Sequence, residues 1–367
     1  MMNKMIVSNL AHRPLRSAIS IVAVALEVTL ILLIVGFSLG MLNDSRTRQA
    51  GIGADVIVLP PGSANLVGIT GAPLPVKIAD ILAKLPHVTV TTPVLWQTTT
   101  SGGIQTIYGI DLKSFEALRA FVFVKGGPFQ GRDDILVDDI YAETHRSKIG
   151  THVELLNHSF RIAGIVAHGR GARLFLQLAT LQDLVGAQGK ATLIYIKTDY
   201  PSNADTVVTE IKGAPNMSSY VVQSMREYLS MMTPDNVPGL SFFIDAVVGI
   251  SVTIGFIVIF QAMYTAVMER TREIGILKSL GASKFYIVNV ILRETTLLAI
   301  GGIVLGIAIS FAVREAIVVR FPTHPIDISR AWLVQAALIA IVGAIGGALY
   351  PAFKAAQKDP IDALAYE

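Results

Sequence analysis

Few residues in this sequence are arranged to do covalent chemistry. Cysteine is absent from all 367 residues, which removes thiolate catalysis, cysteine metal sites and structural disulfides together. The nearest approach to a phosphate-binding loop is Gly186-Ala187-Gln188-Gly189-Lys190-Ala191. It lacks the Walker A spacing and the Ser or Thr that would hold magnesium. Neither G-x-S-x-G nor H-E-x-x-H occurs. His145, His152, His158 and His168 follow no metal-ligand spacing, so no metal site is expected. Asp133, Asp134, Asp138 and Asp139 flank an expected strand and read as a solvated acidic face rather than a calcium site. Met225, Met231 and Met232 are expected to pack near the membrane return. Glu27 stands in the middle of an apolar run, where a charge costs at least about 2.5 kcal/mol on insertion scales, so it must face protein or a wet cavity. It reads either as a polar lining or latch at a dimer interface, or as a glutamate bonded to Ser or Thr with no special role.

The densest charge pattern is Glu269-Arg-Thr-Arg-Glu-Ile-Gly-Ile-Leu-Lys-Ser-Leu-Gly-Ala-Ser-Lys284. Ile274, Leu277, Lys278 and Gly281 recur at i, i+3, i+4, i+7, one edge of a helix. Glu269 and Glu273 near its start and Lys278 and Lys284 near its end complement the helix dipole, and Gly281 is a natural terminator. A short stiff helix at the cytoplasmic surface, joined to two spans, is an element that can transmit a push. The plain alternative is a basic interfacial loop that fixes topology.

Four apolar stretches must position that loop: 18–42, 242–268, 287–313 and 332–353. Each has the roughly 20 residues a helix needs to cross the hydrocarbon. Only 16% of the chain is charged against 52% hydrophobic, where soluble domains carry about a quarter charged residues. The first stretch is too long for a signal peptide and reads as a retained anchor. Lys4, Arg13 and Arg16, then Arg270, Arg272, Lys278 and Lys284, then Lys354 and Lys358 fall on one side of a four-span chain, which makes both termini cytoplasmic. Arg314, Arg320 and Arg330 dissent mildly, beside Glu315 and Asp327. The net charge of +3 therefore needs no nucleic-acid partner. Arg293 and Glu294 open the third span as anchors. The pairs Gly36/Gly40, Gly302/Gly306 and Gly343/Gly347 are spaced to let helix backbones approach, within or between subunits.

The layout follows. Residues 1–17 form a cytoplasmic amphipathic segment, 43–240 an external α+β domain, 269–286 the cytoplasmic loop, 314–331 an outer loop and 354–367 a cytoplasmic tail. In the external domain, Ala54–Leu59, Val88–Thr92 and Ala191–Lys197 read as strands, and Val76–Leu85 and Asn203–Ile211 as helices. Thr151–Leu156 and Ser159–Val166 read as a hairpin around Asn157-His158. A β-rich lobe, about 111–189, is expected as an insertion in an α/β platform.

The cytoplasmic loop resembles the coupling segment of MacB/FtsX-type ABC transporter permeases, E-R-x-x-E-I-G-x-x-x-x-L-G-A. Every fixed position is met, by Glu269, Arg270, Glu273, Ile274, Gly275, Leu280, Gly281 and Ala282. The stretch from Tyr350-Pro-Ala-Phe to Asp362-Ala-Leu364 is similar to that family's ending, Asn9–Ser17 to its amphipathic start, and Ile135–Leu155 to its external domain. The resemblance implies an α-helical membrane protein with four transmembrane helices and a large α+β domain between the first and second. It implies a type VII, mechanotransmission permease that is not itself an enzyme. ATP and magnesium would be bound by a separate cytoplasmic ATPase engaging Glu269–Ala282, Lys278 included, with no cofactor in this chain. It also implies a second permease copy or close homologue, a bacterial inner-membrane location, and in two-membrane bacteria a periplasmic adaptor and outer-membrane duct. Expected cargoes are lipoproteins, glycolipids, peptides or drugs. The alternative is an FtsX-like regulator of a periplasmic cell-wall hydrolase.

Overall fold

The computed structural model describes residues 14–63, 73–99 and 105–358; most of the amphipathic start and the tail beyond 358 lie outside the described residues. The chain divides into two compact units.

The first unit holds four helices long and apolar enough to cross a membrane. They are α1 (Pro14–Ala50), α8 (Leu240–Glu269), α10 (Lys284–Arg320) and α11 (Arg330–Gln357), with the short α9 (Thr271–Ser279) between α8 and α10. In hydrocarbon only hydrogen-bonded helices or closed barrels satisfy the backbone, which is why these stretches are helical. All four extend past the apolar stretches read from the sequence, because charged turns such as Ser45–Arg48 continue the helix beyond the apolar core. Their shared core combines Val24, Val28, Ile31 and Leu32 of α1 with Ile259 and Met263 of α8 and Ile291 and Ile303 of α10. On α11 it is a stripe of alanines, Ala336, Ala340, Ala344, Ala348 and Ala352, at strict i, i+4 spacing. Lipid drives helices together only weakly, so small side chains that permit close backbone contact take over.

The second unit is built on a ten-stranded mixed sheet. Its strands are β1 (Val56–Leu59), β3 (Val88–Thr99), β4 (Gln105–Ile110), β5 (Phe123–Gly126), β6 (Asp134–Asp138), β7 (His152–Leu155), β8 (His158–Val166), β9 (Leu174–Gln177), β11 (Leu193–Thr198) and β12 (Val221–Ser224). The order is β12-β1-β11-β3-β4-β9-β6-β8-β5, with β7 paired to β8. A two-strand ladder joins β2 (Leu74–Pro75) to β10 (Lys190–Ala191). Short helices decorate the sheet: α2 (Lys77–Leu82), α3 (Leu112–Leu118), α4 (Asp139–Thr144), α5 (Leu178–Leu184), α6 (Ala204–Gly213) and α7 (Met225–Ser230), with single turns at Pro201–Asn203 and Pro234–Asn236. Strand β1 is buried on both faces, so it reads as an unbroken apolar run: Val56 and Val58 join one core, Ile57 and Leu59 the other.

Three expectations are corrected. The β-rich region is not a separate lobe, because β4 pairs in parallel with β9 and carries the sheet through without a break. The hairpin turn is centred one residue earlier, on Leu156 and Asn157 with φ of 53° and 59°, the paired positive values that a tight two-residue turn demands. Met225 and Met232 pack in the external core beside Tyr195 and Tyr228.

Candidate functional site

The loop between α8 and α10 is a helix clamped at both ends. Helix α8 stops at Glu269, and Arg270 (φ −104°, ψ 16°) turns the chain into α9. Its guanidinium Nη1 donates to both carboxylate oxygens of Glu294 on α10, at 2.9 and 3.2 Å. Both side chains are largely buried, 14% and 7% exposed. At the far end, Lys278 Nζ donates to the Ala356 carbonyl at 3.1 Å and to that of Lys358. A lysine on the last carbonyls of a helix satisfies groups that have no intrahelical partner.

The loop glycines have separate duties. Gly281 sits at φ +94°. Its N–H donates to Lys278 O and that of Ala282 to Leu277 O, both at 3.0 Å, which closes α9 with a left-handed cap. Ser283 Oγ then accepts from the Tyr286 N–H at 3.2 Å and starts α10. Gly275 is buried with Ile274 and Thr271 on the inner side of α9. Exposed are Arg272, Glu273, Ile276, Leu280 and, on the first turn of α10, Phe285, with Glu273 and Ile276 also bordering the space under the helix. Leu280 is 80% exposed and Phe285 79%. A cavity of about 450 Å³ lies between α9 and the spans, walled by Met263, Val267, Ile287 and Ile291 and by the Arg270–Glu294 pair. The fixed positions thus divide: Arg270, Ile274, Gly275, Gly281 and Ala282 build the element, while Glu273 and Leu280 lie on its outer surface, as does Glu269 at the end of α8.

Of the paired glycines, Gly302, Gly306 and Gly347 make close helix contacts within the chain. A Cβ on Gly302 would stand 2.5 Å from Val24 Cβ, and one on Gly306 2.7 Å from the Ala25 carbonyl, so α1 and α10 touch backbone to backbone there. Thr29 Oγ1 donates to Gly306 O at 3.2 Å across the same contact. Gly347 abuts the Phe256 carbonyl of α8. Gly36 faces residues 326–328 instead of another span, its carbonyl accepting from the Asp327 N–H at 2.8 Å. Gly40 is buried at the outer side of the same helix. Glu27 is 3% exposed and lies among Gly255 of α8 and Gly343 of α11, with Oε1 unpartnered. This corrects the reading of Glu27 as an interface latch: its carboxylate is enclosed within its own protomer.

The external acidic run is a solvated face only in part: Asp133 is exposed and Asp139 half-buried, but Asp134 and Asp138 are buried. Asp134 accepts from the Gln130 and Gly131 N–H groups and from Arg161. Asp138 caps α4 through the Tyr141 N–H and pairs with Arg173 at 2.9 Å, and burial nevertheless holds its carboxyl above the usual range. His158 pairs with Asp133 and His168 with Asp139, and among the described residues no cluster of three metal-ligating side chains forms. Sequence reasoning missed Gln49, which closes a triangle with the Tyr108 and Tyr195 hydroxyls at 2.9 and 2.8 Å in the external core. A lone glutamine beyond an apolar run gives no warning of this.

Comparison with known proteins follows the same division. The family description MacB-like periplasmic core domain matches residues 17–214, and FtsX-like permease C-terminal matches 246–360. The chain belongs to the MacB/FtsX-type ABC permeases. It is a multi-pass membrane protein of a transport family, with the α/β domain inserted between the first and second of four spanning helices. Over 98% of its length this permease is 23% identical to the macrolide export ATP-binding/permease protein MacB of Neisseria gonorrhoeae. It spans 59% of that relative's length. The ABC transporter permease YknZ of Bacillus subtilis is 40% identical over 35% of this chain and 32% of its own. The crystal structure of the periplasmic region of MacB from Actinobacillus actinomycetemcomitans superposes with a TM-score of 0.39 at 14% identity, covering 50% of this chain and 94% of that one.

Proposed function

We propose that this chain is the membrane subunit of an exporter in which a cytoplasmic ATPase, on a separate polypeptide, docks on the outer surface of α9. The observation that carries the reading is the pairing of an internally braced helix with an exposed, mixed apolar and charged surface at Arg272, Glu273, Ile276, Leu280 and Phe285. A braced helix passes displacement to the spans it joins, and the exposed apolar side chains of Ile276, Leu280 and Phe285 together offer surface that a partner can bury. ATP-driven displacement of α9 would move α8 and α10, and through the spans the external domain. Cargo of hydrophobic or amphipathic character, expelled from the outer side, suits a bundle of four helices without a wide channel.

A second permease copy is part of the reading. Helix α8 turns Asp245, Thr253, Gln261 and Thr265 outward, and a side-chain amide such as that of Gln261 is poorly solvated by lipid tails. A partner helix bundle over that face removes the penalty. Both termini then lie in the cytoplasm of a bacterial inner membrane, and an adaptor and duct would meet the external domain where a second membrane exists. No observation favours the hydrolase-regulator alternative.

The reading is tested by co-purifying candidate ATPase subunits with wild type and with Leu280→Asp. Recovery of the ATPase with wild type and its loss from a normally inserted variant supports α9 as the docking element. Equal recovery removes it.

A further inference from the structure

Helix α9 carries no side-chain cap at its start: Arg270 holds that position and makes no capping hydrogen bond. Thr271 Oγ1 donates back to the Val267 and Met268 carbonyls of α8, and what ties this end to α10 is the ion pair between Arg270 and Glu294, whose acceptor lies outside the loop motif. The other end is held to the last carbonyls of α11 by Lys278. Between the two ties Ile274 reaches the core of the spans, but a 450 Å³ cavity beside it and Leu277 leaves the rest of the inner side incompletely packed. Apolar packing alone is therefore a weak constraint on this end of α9, and direction has to come from the charged contact. Removing one member of a buried pair leaves the other charge uncompensated, so the contact is all-or-none rather than graded.

We propose that Glu294 is the positioning residue of the cytoplasmic loop: through Arg270 it fixes the start of α9 to α10, so that the short helix and the span move as one body. This rests on the reading of α9 as the coupling element for its functional consequence, but not for its geometry. Arg270, on this account, is an internal strut and not an ATPase contact.

The chain has no cysteine, so Ile274→Cys supplies a single reporter at a side chain 9% exposed. In permeabilised membranes containing the full chain, labelling of that cysteine by a maleimide is expected to be slow. Adding Glu294→Gln should speed it by about tenfold, as a pair that loses one partner opens locally. The exchange of Arg270→Glu with Glu294→Arg should bring the rate back toward the start. If Glu294→Gln fails to accumulate, Glu294→Asp keeps the charge but withdraws it by one methylene, and a smaller acceleration is expected. Unchanged labelling in the single variants, or no recovery on exchange, overturns the proposal. Leu280→Asp separates the two readings: it should release the ATPase without altering Ile274→Cys labelling. An ATPase retained by Leu280→Asp would sink the docking surface while leaving the strut intact.

Discussion

A methyl group added to Gly255 of α8 would stand 2.0 Å from the Oε2 of Glu27 on α1. No carbon approaches an oxygen so closely, so the glycine and the glutamate are one packing decision. Gly255→Ala is expected to cost about 1–3 kcal/mol of stability through overpacking. The double variant with Glu27→Ala should recover most of it, whereas the isosteric Glu27→Gln should not. Thermal unfolding of the detergent-solubilised chain separates a steric cause from an electrostatic one, and equal rescue by both variants would refute the steric account.

Neighbouring glycines on α10 offer an internal control. A Cβ at Gly301 meets nothing nearer than 3.5 Å, an ordinary contact, while at Gly302 it meets Val24 Cβ at 2.5 Å and the Ile21 carbonyl at 2.8 Å. Gly301→Ala should therefore be neutral or stabilise slightly by raising helix propensity, and Gly302→Ala should destabilise by about 1–3 kcal/mol. Similar unfolding temperatures for the two would mean that α1 and α10 have freedom to part.

The outward face of α8 makes a claim about assembly. In a chain free of cysteine, Gln261→Cys should give a cross-linked dimer with a short bifunctional maleimide in native membranes. Val342→Cys, on α11 and 69% exposed, should not. A reversed pattern would move the second copy to the α11 side.

Position 87 supplies a pH signature. The hydrogen bond and charge of Asp199 at 2.8 Å raise the His87 imidazole above its ordinary value, and the same bond, with help from Asn203, lowers Asp199 to about 2. The aspartate's contribution to stability is present above about pH 3.9 and fades as pH falls toward 2; that of the histidine is present below about pH 6.5 and fades as pH rises through its elevated value. The difference between wild type and Asp199→Asn should be largest between about pH 4 and 6.5 and should shrink at higher pH. Because both groups are exposed, the effect is small and best read from the His87 ring protons by NMR, which should titrate at lower pH in Asp199→Asn.

The sequence announces what is repetitive and hides what is convergent. Hydropathy alone marks the four spans and the unbroken apolar strand Val56–Leu59, and helical spacing marks Lys77–Leu82 and Ala204–Gly213, because burial on one face of a helix writes a period into the chain. The parallel pairing of Ile107 with Leu174 joins segments far apart, and nothing local records it. Likewise Arg270 and Glu294, 24 residues apart, each resemble an ordinary interfacial charge until the fold brings them together. The acidic run misled for the same reason: the partners that bury Asp134 and Asp138, Arg161 and Arg173, come from elsewhere in the chain. Alanines at i, i+4 on α11 were legible in principle, but beside paired glycines they look like filler.

Strand β1 is the first of the external sheet to be synthesised, yet both of its neighbours, β11 and β12, are the last. Val58 pairs with Ile194 on one side and Val222 on the other. Sheets made of such distant pairings fold slowly, since long loops must close before contacts form. While translation proceeds, β1 presents two unpaired edges rich in valine and isoleucine, a template for aggregation. The order of synthesis therefore leaves the opening strand without its second neighbour until about residue 224 has been made.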